Sequence, residues 1–86
     1  MGSYSVRIRA SAERELRSVP KEDLRRIRRK IDGLTHDPTP PGCIKLAGET
    51  SYRLRQGDWR IVYTIDFGLK VIEVVKVGHR REVYRK

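Results

Sequence analysis

The chain has 86 residues, enough for one domain and too few for two, and only 37% of them are apolar. Lys and Arg number 20 against 11 Asp and Glu, and the resulting charge of +9 points to polyanionic partners. Composition also argues against a membrane span, since no run approaches the roughly 18–20 apolar residues required, against an internal disulfide, since Cys43 is the single cysteine, and against a tetrahedral zinc site.

No cofactor or metal is expected, and a reducing cytoplasm suits the cysteine content. Met1-Gly2 lacks the Ser or Thr at position 6 that myristoylation requires, because Val6 stands there. Residues 1–3 read as a vector-derived or disordered leader, and the domain is expected to span 1–86.

The first element is a short strand over Tyr4 to Arg9, where Val6 and Ile8 alternate with Arg7 and Arg9. Ser11 is a suitable helix N-cap, with Glu13 and Glu15 placed favourably near the positive helix end. Ala12, Leu16 and Val19 then recur at i, i+4 and i+7 as one apolar stripe. Pro20 separates this helix from a second, whose seam is Leu24, Ile27, Ile31 and Leu34. Gly33 weakens the last turn and Asp37-Pro38 stops it. Arg25, Arg26, Arg28, Arg29 and Lys30 cover the other faces of this helix, most simply as a solvated surface and otherwise as a binding one.

After the loop "DPTPPG" the hydrophobic period changes from helical to two. In "SYRLRQGDWRIVYTID", Tyr52 and Leu54 share one face, and Arg53 and Arg55 the other. Gly57-Asp58 suits a type II′ hairpin turn. That turn sets Arg55 opposite Arg60 and Arg53 opposite Val62, whereas a slip of one residue would push arginines into the apolar layer. A second hairpin turns around Phe67-Gly68. Ile72 and Val74 join the apolar face of Ile61, Tyr63 and Ile65, while Glu73, Val75 and Val77 join the Arg60 face. Residues 69–77 are apolar on both sides, as a central strand would be. Gly78 offers a bulge or bend, and alternation beyond it would point Arg80, Glu82 and Tyr84 the same way. The expected fold is α+β in two layers: an N-terminal strand, a two-helix hairpin, then an antiparallel sheet of three to four strands.

The arginine face has a plain reading as a solubilising surface neutralised by Glu73, Glu82 and Asp58. Opposed like charges on neighbouring strands destabilise a sheet, however, and an anionic ligand explains their clustering better. No paired-carboxylate site, nucleophilic triad or phosphate-cradling glycine loop is present.

The segments "KLAGETSYRLRQGDWRIVYTID" and "VIEVVKVGHRREVYRK" resemble the RelE/ParE toxin superfamily of type II toxin–antitoxin pairs, more closely its RelE-type mRNA interferase branch. The likeness extends over nearly the whole chain. It implies one of two activities: ribosome-dependent cleavage of mRNA in the decoding site, as in RelE, or poisoning of DNA gyrase without cleavage, as in ParE. It also implies a cognate acidic antitoxin as partner, with the ribosome and mRNA as targets. Carried over residue by residue, the basic hairpin positions of RelE fall on Arg53, Arg55 and Arg60, and its C-terminal pair on Arg80 and Tyr84. Well-studied RelE enzymes carry lysines at the first two positions. The arginines here are always protonated, so neither Arg53 nor Arg55 can accept a proton.

Metal-independent RNA cleavage requires the ribose 2′-OH to attack the adjacent phosphorus, with a base, an acid and donors for the phosphorane oxygens. Arg60 and Arg80 suit the charge-holding role. Tyr84 can stack on a base or transfer a proton, and is otherwise a rim aromatic. His79 has the natural acid/base chemistry, with an unperturbed pKa of about 6.5. Alternation points it away from Arg80 and Tyr84, so its plain reading is a polar edge residue. Arg53 and Arg55 are the expected RNA contacts on the sheet, and Arg28 and Arg29 the expected contacts to ribosomal RNA on the second helix. A non-catalytic RNA-binding module is a third alternative.

Overall fold

The computed structural model describes residues 3–46 and 51–79. Strand β1 (Ser5–Ile8) leads into helices α1 (Ala10–Arg17) and α2 (Lys21–Gly33), followed by β2 (Ile44–Lys45), β3 (Ser51–Gln56), β4 (Trp59–Asp66) and β5 (Val71–His79). The strands form one five-stranded sheet in the order β1-β5-β4-β3-β2. Strands β2 to β5 run as an antiparallel meander, whereas β1 lies parallel to β5. A parallel neighbour requires a long crossover, and the two helices supply it. The expected α+β layering holds, with four antiparallel strands after the helices.

One face of the sheet is the core face. Ala12, Leu16, Ile27, Ile31 and Leu34 from the helices are buried with Leu54, Ile61, Tyr63, Ile65, Ile72 and Val74 from the sheet. Both helical stripes read from the sequence therefore face inward. The expected Ser11 cap is corrected: α1 begins two residues earlier than that cap implies, and its N-cap is Arg9, with extended backbone and no side-chain cap bond. Arg9 still belongs to the sheet through its N–H, which donates to Val74 O at 2.9 Å. The chain thus passes from strand to helix with no loop in which Ser11 could act as a cap.

The β3–β4 hairpin has the expected register, with Arg55 opposite Arg60, Leu54 opposite Ile61 and Tyr52 opposite Tyr63. Gly57 takes φ +60°, the left-handed conformation needed at the first central position of a II′ turn. The two tyrosines stack at 5.8 Å between ring centroids.

Strict alternation fails in β5. A bulge between Val62 and Tyr63 pairs Tyr63 with Val74 but Val62 with Lys76, leaving Val75 as the extra residue. The expectation that Val77 joins the Arg60 face is therefore corrected: it lies opposite Ile61 and is 1% exposed, in the core. The cause is local. Strand β1 ends after pairing Ile8 with Val74, so among the described residues the following part of β5 has no strand on that side. Glu15 of α1 takes its place, accepting the Val77 N–H at 2.8 Å and the Lys76 ammonium at 2.9 Å.

The loop before β2 is tied down by Tyr63, whose hydroxyl donates to Pro38 O at 2.8 Å. Burial pushes the Tyr63 phenol far above its ordinary range, and a hydrogen bond with Cys43 adds to the shift. The fold thus favours the protonated form, and this stability is fully present below the unfolded pKa of about 10 and lost as pH rises above it. Tyr63→Phe is expected to cost about 1 kcal/mol at neutral pH, where Pro38 O loses its donor. It should also flatten the alkaline fall in stability. Urea unfolding of both chains at about pH 7 and about pH 11 checks both effects.

Candidate functional site

The sheet face opposite the helices carries the arginine row. Period two sends Arg53 and Arg55 outward from β3, and the hairpin register brings Arg60 of β4 beside Arg55. The next residue in that row is Gly78 of β5, which has no side chain. Arg7 and Glu73 extend the same face toward the β1 edge.

The neighbouring arginines differ in depth. Arg55 is exposed and Arg53 half-buried, whereas Arg60 is 4% exposed. Its Nη1 donates to the carbonyls of Gly57 and Trp59, each at 3.3 Å. The guanidinium therefore folds onto the turn that precedes it while Arg55 reaches solvent, which relieves the repulsion expected of directly opposed like charges. Glu73, one of the acids expected to neutralise this face, instead pairs with Arg9 at 3.3 Å.

The remaining sequence-derived candidates fall elsewhere. His79 lies opposite Trp59, in register with the core-face pair Ile61 and Val77, so it sits on the helix side of the sheet. Its ring meets Trp59 edge-on, with centroids 5.5 Å apart and planes at 84°. The tryptophan is held in turn by α2, its Nε1–H donating to Asp23 Oδ2 at 3.1 Å. This Asp23–Trp59–His79 chain was not foreseen. Its only advance signal was an acid in the first turn of a helix and a tryptophan starting a strand. Arg28 and Arg29 belong to α2, away from the arginine row, and Arg28 pairs with Glu13 of α1 at 3.2 Å. Arg80 and Tyr84 lie outside the described residues. The structure thus assembles Arg53, Arg55 and Arg60, and separates His79, Arg28 and Arg29 from them.

This arrangement can bind a polyanion. It offers permanent positive charge in a fixed row, graded from an exposed guanidinium to a buried one. Among the described residues of the row, none can accept a proton near neutral pH.

Residues 6–84 match the family described as ParE toxin of type II toxin-antitoxin system, parDE. The chain belongs to this toxin family. Within it, the similar curated proteins are of RelE type. Toxin RelG of Mycobacterium tuberculosis strain H37Rv is 30% identical over 87 residues, covering 96% of this chain and 98% of that protein. Toxin RelE of the same organism is 31% identical over 84 residues, covering 95% and 87%. Among solved structures, the archaeal RelE–RelB complex from Pyrococcus horikoshii OT3 superposes with a TM-score of 0.83 at 34% identity, covering 91% of this chain and 96% of that one. The toxin therefore has a RelE-like fold, and its family was legible in the hairpin and C-terminal motifs.

Proposed function

We propose that the toxin is a ribosome-dependent endoribonuclease that cleaves mRNA in the decoding site. The observation that carries this reading is the assembled row of Arg53, Arg55 and Arg60 on the open face of a RelE-type sheet. In the proposed reaction the ribose 2′-OH attacks the adjacent phosphorus, the bond to the 5′ oxygen breaks, and a 2′,3′-cyclic phosphate forms. The chemistry draws on no metal or cofactor. Arg53 and Arg55 grip the RNA backbone, with fork-shaped donors suited to phosphate oxygens. Arg60 and Arg80 hold the scissile phosphate, Arg60 as a charge oriented by the turn carbonyls. Tyr84 stacks on a base or passes a proton. The position of His79 against Trp59 argues for a structural role, which leaves Tyr84 the stronger acid/base candidate. Arg28 and Arg29 contact ribosomal RNA from the other side of the domain.

We also infer a cognate acidic antitoxin, since several similar structures are RelE–RelB complexes and the chain carries +9. A second reading, inhibition of DNA gyrase without nuclease activity, is favoured by the match to a family named for ParE. Induced expression followed by mapping of mRNA 5′ ends separates the two. New ends inside translated codons are the expected result. Intact mRNA with gyrase-linked DNA breaks would replace the first reading with the second.

A further inference from the structure

Trp59 touches three parts of the fold. Its Nε1–H donates to Asp23 Oδ2 in the first turn of α2 at 3.1 Å, and its ring meets His79 of β5 edge-on. Its main-chain carbonyl accepts a hydrogen bond from Arg60 Nη1 at 3.3 Å, beside the Gly57 carbonyl at the same distance. The indole lies on the helix side of the sheet and Arg60 on the open face, because successive residues of a strand point opposite ways. The peptide group between 59 and 60 therefore links a tie to the helix layer with a guanidinium on the other face.

A tryptophan packed on a core ordinarily finds an acceptor for its N–H. Here the acceptor is a carboxylate, and hydrogen bonds to a charged group are roughly twice as strong as neutral ones. It stands in the first turn of a 13-residue helix, where a negative side chain is favoured. Both partners are half-buried. An indole held at its far end also restrains the main chain it grows from, since the side-chain torsions between them occupy discrete staggered wells. The carbonyl that receives Arg60 is thereby aimed. Arg60 has little room to compensate for a shift, being 4% exposed with its Nη1 shared between two carbonyls. A displaced Trp59 carbonyl should therefore displace the guanidinium.

We propose that Asp23, acting through Trp59, is a positioning residue for Arg60, setting from the helix layer where the guanidinium stands on the open face. The placement stands on the geometry alone, whereas its effect on cleavage rests on the nuclease reading. Arg53 and Arg55, the proposed grips on RNA, belong to β3. The tie should therefore govern how fast bound RNA is cut and not how tightly it is held.

The test compares Asp23→Ala, which removes the acceptor, with Asp23→Asn, whose amide oxygen can still accept the indole N–H. The chain has one tryptophan, so its indole resonance in a ¹⁵N-correlated NMR spectrum is unambiguous. The Arg60 Nε–Hε resonance is identified by its loss in Arg60→Lys. Both resonances should move in Asp23→Ala and stay near their wild-type positions in Asp23→Asn. Single-turnover cleavage on programmed ribosomes is then measured at a temperature where each chain is fully folded. Its maximal rate should fall about tenfold in Asp23→Ala, less than the roughly 100-fold that a misplacement of about 1 Å can cost. The half-saturating toxin concentration should not change, and Asp23→Asn should restore the rate. Trp59→Phe removes the donor of the same bond, so adding Asp23→Ala to it should cause no further loss. If Trp59→Phe does not fold, the two Asp23 variants decide. Unmoved indole or Arg60 resonances in Asp23→Ala, a wild-type maximal rate in that chain, a loss confined to the half-saturating concentration, or additive losses in the double variant would each overturn the proposal. The NMR comparison needs no ribosome. A wild-type chain that cuts no mRNA would therefore remove the nuclease reading, while the Arg60 resonance would still decide the positioning.

Discussion

Arg60→Ala is expected to lower single-turnover cleavage of mRNA on programmed ribosomes by about 100–1000-fold, the usual cost of removing a donor to the transition state. The expectation follows from charge and placement. The guanidinium is permanently protonated, belongs to the row with Arg55, and is oriented by the Gly57 and Trp59 carbonyls. Those same contacts make Arg60 part of the hairpin turn, so its loss will also destabilise the fold. Arg60→Lys separates the two effects. Lysine keeps a positive charge and can reach one carbonyl, but it cannot present the planar fork that holds two oxygens at once. The lysine chain should melt close to the wild type and still cleave well below its rate. Were Arg60 purely structural, cleavage would track the fraction folded and return to normal on cooling. A recovered rate in either variant under conditions where it is fully folded removes Arg60 from the chemistry.

The sequence was most informative where short-range rules dominate. The β3–β4 register follows from Gly57-Asp58 and from alternation, because any slip would bury Arg53 and Arg55. The seams of α1 and α2 follow from the helical period. Two features depended on contacts between distant segments. The parallel pairing of β1 with β5 joins residues on either side of the helices and the meander, and nothing within Ser5–Ile8 indicates its neighbour. The bulge that moved Val77 into the core depends on where β1 stops and on Glu15 reaching the exposed edge of β5. Valines on both sides of Lys76 conceal the phase change, since each would suit a buried position. The candidate site was legible to the same extent. Alternation assigned Arg53, Arg55 and Arg60 to one face, but a period reports direction and not depth. It therefore did not show that Arg60 is buried against turn carbonyls while Arg55 meets solvent. Likewise, the pairing of Arg28 with Glu13 depends on how the two helices pack.

Tyr84 is expected to divide cleavage into stacking and proton transfer, and its two substitutions should give different results. Phenylalanine preserves the aromatic face, so stacking on an RNA base survives in Tyr84→Phe. The phenol proton does not. Tyr84→Ala removes both. If Tyr84 transfers a proton, Phe and Ala should each reduce single-turnover cleavage, by about 100-fold or more, within the usual range for a general acid or base. If it only stacks, Phe should retain the wild-type rate and Ala should lose it. Proton transfer is the expected outcome, because the other titratable candidate, His79, is turned to the helix side with its ring against Trp59. His79→Ala should then leave the pH profile of cleavage unchanged, whatever it does to stability. A Tyr84→Phe chain that cuts at the wild-type rate, together with a His79→Ala chain whose pH profile is altered, would reverse the assignment. That result would require the end of β5 to turn on the ribosome and bring His79 to the arginine row. Loss of Arg60, Arg80 and Tyr84 with no effect on cleavage in any single variant would remove the nuclease reading itself, leaving gyrase as the target to examine.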